Sequence, residues 1–272
     1  MTGSRIVLAV CLFMFLIWGT SFAGTISIQT TTNTKMVEGK PVLEVTVRNS
    51  GDEAAANVRV IAELLDQKVS STTWPQIAAG GHETTSISFE KLPEKQGRYP
   101  VVILTEFADL NMYPFSAVTI ASLEAGAQST TQIMAKIEGK KSGKYLDLTL
   151  KNLDSFRKQI SLKIVAAKEL NVEPAQLKIE LSPYEIKTFR INVSNFSALP
   201  GATYPIYAVI EYEDDVRHSS LVAVTPYRVM SGTKEVGTKT ILIIVAAALI
   251  GAFAALQIFS LVNKRRKHSS TR

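Results

Sequence analysis

Between residues 42 and 64 the chain reads VLEVTVRNSGDEAAANVRVIAEL, two runs of alternating apolar and polar residues on either side of a polar gap that contains a glycine. In LEVTVR, Leu43, Val45 and Val47 fall on one face and Glu44, Thr46 and Arg48 on the other, the period of two expected of a half-buried strand. About a hundred residues later the phrase returns as YLDLTLKNLDSFRKQISLKIVAA, with Leu146, Leu148 and Leu150 inward and Asp147, Thr149 and Lys151 outward. Both first runs end on an asparagine, Asn49 and Asn152, where a turn is expected because Asn and Gly tolerate the backbone angles that reverse a chain. A second alternating strand then follows, around Val58 and around Leu162.

The correspondence continues to the end of each unit. IAAGGHETTSISF (77–89) matches IELSPYEIKTFRI (179–191): a turn on Gly80-Gly81 or Ser182-Pro183, a glutamate, then an alternating strand. GRYPVVILTEFAD and GATYPIYAVIEYED share Gly, Tyr-Pro, a β-branched run and an acidic end, at a spacing of 105 from Tyr99 against Tyr204 to Asp109 against Asp214. Short strands with regular turn signals and little helical periodicity predict two antiparallel β-sandwiches, residues 24–126 and 127–232. ASLEAGAQSTTQ (121–132) reads as the linker between them. ELNVEPAQ (169–176) has room for one helical turn, limited by Pro174.

The two ends of the chain carry a different pattern. Residues 1–23 place Arg5 before an apolar run and small residues at Ser21 and Ala23, the layout of a cleaved secretory signal peptide. Cys11, the single cysteine, lies inside it, so the mature chain would have no disulfide, thiol nucleophile or cysteine metal site. After a polar stalk at 233–239, residues 240–262 (TILIIVAAALIGAFAALQIFSLV) run uncharged for the length of a membrane-crossing helix. Lys264, Arg265, Arg266 and Lys267 follow at once, and the positive-inside rule predicts that the tail 263–272 is cytoplasmic, in the plasma (inner) membrane, with the two β-units outside. Within the span Ala247, Gly251 and Ala255 recur every fourth residue, a small-residue stripe that would let two helices approach, in a homodimer or against a partner's span, although alanine-rich spans without partners are common.

Charge then changes meaning. The formal +6 arises from the two ends, because the exported part holds 24 Lys and Arg against all 24 Asp and Glu, so no nucleic-acid partner is implied. Residues 24–126 carry 8 basic and 12 acidic side chains and residues 127–239 carry 16 and 12, so the units have charges of −4 and +4, which fits docking on each other, a charged partner, or equally a solvated surface with a random imbalance.

VRNSGDEAAANVRV, the Gly-Gly-x-Glu turn before an alternating strand and the final G-x-Y-P strand together resemble the immunoglobulin-like surface modules of bacteria and archaea of the cell-adhesion-related (CARDB) type. KNLDSFRKQISLKI departs from the pattern in lacking the glycine. The resemblance implies an all-β fold of two tandem immunoglobulin-like antiparallel β-sandwiches plus one C-terminal transmembrane helix. It also implies a spacer, adhesion or accessory role with a protein or envelope-glycan partner.

Residues for chemistry are sparse. His82, His218 and His268 have no ligand spacing, no serine sits in a nucleophile elbow, and no phosphate loop follows a strand, so neither catalytic residues nor a cofactor is expected. EYEDD (211–215) is either a solvated hairpin tip or a calcium site, and carboxylates paired for sugar hydrolysis are left open. Two sequons, at Asn192 and Asn195, would matter only in a eukaryotic secretory pathway. Aromatic residues in turn-rich regions, Trp74, Tyr113 and Phe115, are the candidate partner contacts, Tyr113 first among them, since Trp74 and Phe115 read better as plugs of their own core. The expectation is a non-catalytic membrane protein serving as adhesion, scaffold or accessory subunit of an envelope assembly. The alternatives are a precursor processed at its C-terminal span, although no LPxTG-type motif precedes it, and a membrane-bound glycan-binding or glycan-hydrolysing protein.

Overall fold

The computed structural model describes residues 24–126, 131–139, 144–230 and 238–269, the last stretch with side chains at 242–257 and 259. The first repeat comprises β1 (Ile28–Val37), β2 (Lys40–Asn49), β3 (Ala55–Leu64), β4 (Gln67–Ser70), β5 (Trp74–Ile77), β6 (His82–Ser88), β7 (Gln96–Ala108) and β8 (Pro114–Ala125). The second comprises β9 (Ile133–Gly139), β10 (Tyr145–Asn152), β11 (Lys158–Val165), β12 (Leu170–Glu173), β13 (Gln176–Leu181), β14 (Ile186–Asn195), β15 (Thr203–Glu213) and β16 (Arg217–Arg228). One helix, α1 (Thr238–Ser269), follows. The chain divides into two compact units: residues 1–198 with 202–228, which hold both repeats, and residues 199–201 with 229–272, which hold α1.

Alternation dictates the core. In the first repeat Leu43, Val45 and Val47 of β2 and Val58, Val60, Ala62 and Leu64 of β3 are buried with Tyr99, Val101 and Ile103 of β7 in one cluster, so the sheet β1-β2-β6 packs face to face on β3-β7-β8. Each such aliphatic side chain removed from water contributes about 1.5–3 kcal/mol. Ala55 and Val58 are both buried despite their odd spacing, because the register shifts between Ala56 and Arg59 with Asn57 at φ 51°, a bulge that returns the strand to its core face. The second repeat buries Leu146, Leu148 and Leu150 of β10 opposite Ile206, Ala208 and Ile210 of β15 by the same alternation.

The repeat read in the sequence holds at the level of single hydrogen bonds. Asn49 and Asn152 are both fully buried at the end of equivalent strands. The Asn49 amide donates to the carbonyls of Glu53 (2.7 Å) and Ile77 (3.3 Å), and its oxygen accepts from Gly51 N (3.1 Å). The Asn152 amide donates to Phe156 (2.8 Å) and Ser182 (2.9 Å), and its oxygen accepts from Asp154 N (3.0 Å). Each side chain thus supplies partners for backbone groups both of its own turn and of the segments packed beside it. Gly51 has no counterpart in the second repeat for a local reason: a Cβ there would lie 1.9 Å from the carbonyl oxygen of Thr25, whereas the second repeat accommodates Asp154 at that place in its turn. Thr46–Thr84 (2.9 Å) and Thr149–Thr188 (3.0 Å) repeat the outward-facing hydroxyl pair between the neighbouring strands.

Three expectations change. Residues 121–125, read as linker, continue β8 and pair with 97–101 of β7; residues 127–130 lie outside the described residues. ELNVEPAQ forms no helical turn: Leu170–Glu173 is a strand on β14, ended by a cis Glu173–Pro174 bond. The two repeats are also more than neighbours on a string, because one nine-stranded sheet, β13-β11-β15-β16-β7-β3-β4 with β5 added on β3 and β8 on β7, runs through both. The signal segment 1–23, stalk residues 233–237 and tail residues 270–272 lie outside the described residues, as do the side chains of Lys264, Arg265, Arg266 and Lys267. The uncharged run 240–262 is helical within α1, but among the described residues no helix is long and apolar enough to cross a membrane.

Candidate functional site at the junction of the repeats

The repeats meet where β16 and β7 begin, in parallel, with Arg217 opposite Gln96 and His218 opposite Gly97. The approach depends on the absence of a side chain at position 97. A Cβ on Gly97 would lie 1.8 Å from the carbonyl oxygen of His218, and its φ of +141° is a conformation that other residues rarely adopt.

His218 occupies this contact. The β15–β16 hairpin pairs Glu213 directly with His218, and alternation turns Glu211 to the same face. His218 Nδ1 lies 3.0 Å from Glu213 Oε1. Its Nε2 lies 3.2 Å from Glu211 Oε1, close enough for charge attraction though off the line of a hydrogen bond. From the first repeat the Tyr99 ring lies flat on the imidazole, centroids 4.1 Å apart and planes 4° from parallel. Lys95 reaches across to Glu213 (2.8 Å) and to the carbonyl of Asp214 (2.8 Å). Burial disfavours the imidazolium of His218, but Glu211 and Glu213 outweigh it and raise its pKa above the ordinary histidine value. Lys95 and His218 in turn hold the Glu213 carboxyl below the usual range.

A second tie lies nine residues further along β7, roughly 30 Å away. Glu169, 2% exposed, accepts from Ser116 N (2.6 Å) through one carboxylate oxygen and from Ser116 Oγ (2.6 Å) through the other, while Lys168 N donates to Ser116 Oγ (2.8 Å). Ser116 opens β8 of the first repeat, and Glu169 lies in the loop before β12 of the second. Beside them Glu106, already held by Arg59 (2.5 Å), pairs with Lys168. Burial works against the Glu106 carboxylate, but Lys168 and Arg59 outweigh it and lower its pKa. Lys163 meets Glu63 at 2.5 Å, and Tyr207 donates from its hydroxyl to the Val118 carbonyl (3.3 Å). Among the described residues, Lys163–Glu63 and Lys168–Glu106 set a cation of the basic repeat against an anion of the acidic repeat across the junction, and Lys95–Glu213 runs the other way.

Between the ties lies a cleft of about 740 Å³. Pro100 and Val102 of β7 form one wall, Ile160, Ile179 and Val209 the other, and the Glu63–Lys163 pair and His218 line it as well. Chemically the junction can take up and give up a proton at His218, between the carboxylates of Glu211 and Glu213. The acidic run 211–215 is a hairpin tip: Asp214 Oδ1 accepts from Val216 N (2.9 Å) and Arg217 N (2.6 Å). Among the described residues no group of three or more His, Cys, Asp or Glu is placed to hold a metal ion.

The aromatic candidates separate. Trp74, in β5, packs half-buried against the core of the first repeat, and Phe115, in β8, stacks on Phe107 at 5.8 Å. In the strand order β5-β3-β7-β8 they are three strand spacings apart, about 14 Å, so they do not form one surface. Tyr113 stands at the tip of the β7–β8 turn, 66% exposed beside Leu110 and Met112, with Asp109 Oδ1 accepting from its N–H and from Asn111 N to fix the turn. Ala247, Gly251 and Ala255 lie on α1, and the space beside Gly251 is open. Sequence reasoning set His218 aside for want of a histidine partner, and gave Glu169 and Ser116 no role. The hairpin EYEDDVRH held a signal for the first, since a four-residue tip places Glu213 across from His218.

No family model and no curated protein matches the chain. Similar solved structures include trypsin-activated alpha-2-macroglobulin from Escherichia coli (13% identity, 75% of this chain and 18% of that one, TM-score 0.31), red sea bream transglutaminase (12%, 84% and 34%, 0.28) and the YadV chaperone (8%, 74% and 99%, 0.28). The chain thus spans under a fifth of the macroglobulin it matches, and at these scores the likeness carries no argument about function.

Proposed function

We propose that this chain is a single-span membrane protein whose two immunoglobulin-like β-sandwiches, similar to the CARDB-type surface modules, stand outside the cytoplasm as a rigid, non-catalytic arm that holds a protein partner. The observation that carries the reading is the junction. Two ties roughly 30 Å apart along one strand, a shared sheet and a buried carboxylate restrain the two modules against bending and twisting as long as both ties are made. A spacer built only for reach gains nothing from that stiffness; a scaffold that must present a surface at a fixed place does. The immunoglobulin-like assignment is supported by the paired Asn turns and by Tyr99, whose hydroxyl near the start of β7 donates to the carbonyl of Lys95 four residues upstream (2.8 Å), as in a tyrosine corner.

The anchor is supported by composition and by exposure. Leu242, Ile243, Ile244 and Val245 are successive in α1 and all exposed, as are Leu249, Phe253, Leu256 and Phe259, so apolar side chains surround the helix on every side. Water penalises such a surface and a bilayer accepts it. Lys264, Arg265, Arg266 and Lys267 would then fix the orientation, and the stripe Ala247, Gly251, Ala255 would be available to a second copy.

The partner would be met at the β7–β8 tip, where Leu110, Met112 and Tyr113 project together on a fixed turn. A photo-crosslinking residue placed at Tyr113 in cells should give one discrete adduct, and the same residue at Trp74 none. Equal labelling from both positions, or release of the protein from membranes by alkaline carbonate, would overturn the proposal.

A further inference from the structure

We propose that the junction of the two repeats is a proton-operated clasp: His218, gripped by Glu211 and Glu213 and capped by Tyr99, holds the cleft closed while protonated and lets its walls part on losing the proton. This goes beyond the scaffold reading and does not depend on the anchor, because every group involved lies in the two repeats.

The geometry selects the charged form. A neutral imidazole carries one N–H and can satisfy one carboxylate, whereas here both ring nitrogens face carboxylate oxygens, at 3.0 and 3.2 Å. Deprotonation therefore turns one nitrogen lone pair toward a carboxylate in a site where His218 is 6% exposed, and the repulsion is relieved most simply by moving the ring. The ring cannot move alone. It is stacked on Tyr99 of the other repeat, and its own carbonyl lies against Gly97, so displacement of His218 pulls on the backbone pairing of β16 with β7 that joins the repeats.

The surrounding charges favour this direction. From β15, Glu211 and Glu213 favour a cation at the ring, and at the hairpin tip Asp214 is turned to the backbone of Val216 and Arg217 with Asp215 next to it in the chain. Across the junction Lys95 opposes it but is drawn to Glu213, and Glu94 lies beside Lys95. On its own strand Arg217 precedes it, with its backbone N–H bonded to Asp214, and in the cleft wall Glu63 and Lys163 neutralise each other. The pKa of His218 is raised by this balance after the cost of burial is met. A group whose pKa is higher in the closed state stabilises that state fully below its open-state value, about 6.5, and the stabilisation fades as pH rises through the closed-state value. The closed-to-open ratio then falls by up to about tenfold per pH unit across that window. The Glu169–Ser116 tie involves neither His218 nor the carboxylates that hold it, so it serves as the hinge about which the walls part.

The test is a distance across the cleft in the full-length chain. Spin labels on Lys68→Cys of β4 and Lys178→Cys of β13, with Cys11→Ser to leave no other thiol, should give one narrow distance distribution at about pH 5.5 and a longer, broader one at about pH 8.5. His218→Gln should show no change between the two pH values. Glu211→Gln should lower the midpoint of the transition, which keeps the test decisive if the histidine variant does not fold. A distribution indifferent to pH in the parent, the same transition in His218→Gln, or an unmoved midpoint in Glu211→Gln would each overturn the clasp.

Discussion

Replacing Glu169 by alanine tests the junction at its most buried point. The Glu169 carboxylate accepts two hydrogen bonds of 2.6 Å from Ser116, one from the backbone N–H and one from the hydroxyl. Removing it leaves a buried backbone donor without a partner, at about 1–3 kcal/mol, and removes charge-assisted bonds that are each worth about 1.5–3 kcal/mol. The Ser116 hydroxyl keeps its bond from Lys168 N, and the desolvation cost of the carboxylate is recovered, so the net loss should be about 2–4 kcal/mol. For a unit of this size that is a fall in Tm of roughly 4–16 °C. The assay is thermal unfolding of the full chain in detergent, with Ser116→Ala and the double variant completing a cycle. Ser116→Ala keeps its N–H on Glu169 and should cost less, about 1–2 kcal/mol, and the two changes should couple by at least 0.5 kcal/mol as an approximate floor. A Glu169→Ala variant within about 0.5 kcal/mol of the parent, or two changes that simply add, would refute the claim that this contact ties the repeats.

Other outcomes follow from the same structure. Gly97→Ala places a methyl group against the His218 carbonyl and should destabilise the chain by at least about 2 kcal/mol in denaturant titration, with the fluorescence of a reporter near Tyr99 showing loss of the stack. Asn49→Ala and Asn152→Ala, which orphan matching sets of backbone groups, should each cost about 2–4 kcal/mol and differ from one another by less than about 1 kcal/mol in the same titration. Because Lys168 and Arg59 lower the pKa of Glu106, its contribution is present above the unfolded value and should be lost as pH falls through its folded value; Glu106→Gln should therefore flatten the acid limb of a stability-against-pH curve.

Much of the fold was legible because one face of each strand is buried. Leu43-Val45-Val47 and Leu146-Leu148-Leu150 show their period of two directly, and the buried asparagines that end those strands lie at equivalent places in both repeats. Local alternation says nothing about where an outward face ends up. Val209 points away from the core of its own repeat yet is 1% exposed, and the sequence holds no mark of what covers it. The linker was misplaced for a related reason: ASLEA is short of large apolar residues, but pairing with β7 made it strand, and tertiary context decided against composition. At the junction, Glu169 drew notice only as the first residue of a segment with room for a helical turn, because the group it serves, Ser116, is 53 residues away in the chain. Charge gave the better hint. The −4 and +4 of the two repeats correspond to Lys163–Glu63 and Lys168–Glu106 across the junction.

Calorimetry of the full chain in detergent at about pH 5.5, where His218 carries its proton, tests most directly whether the two repeats behave as one body. The account predicts a single transition for the β-rich part, with van't Hoff and calorimetric enthalpies agreeing within about 10%. Two separable transitions, or a calorimetric enthalpy about twice the van't Hoff value, would mean that the repeats unfold as independent beads and would contradict it.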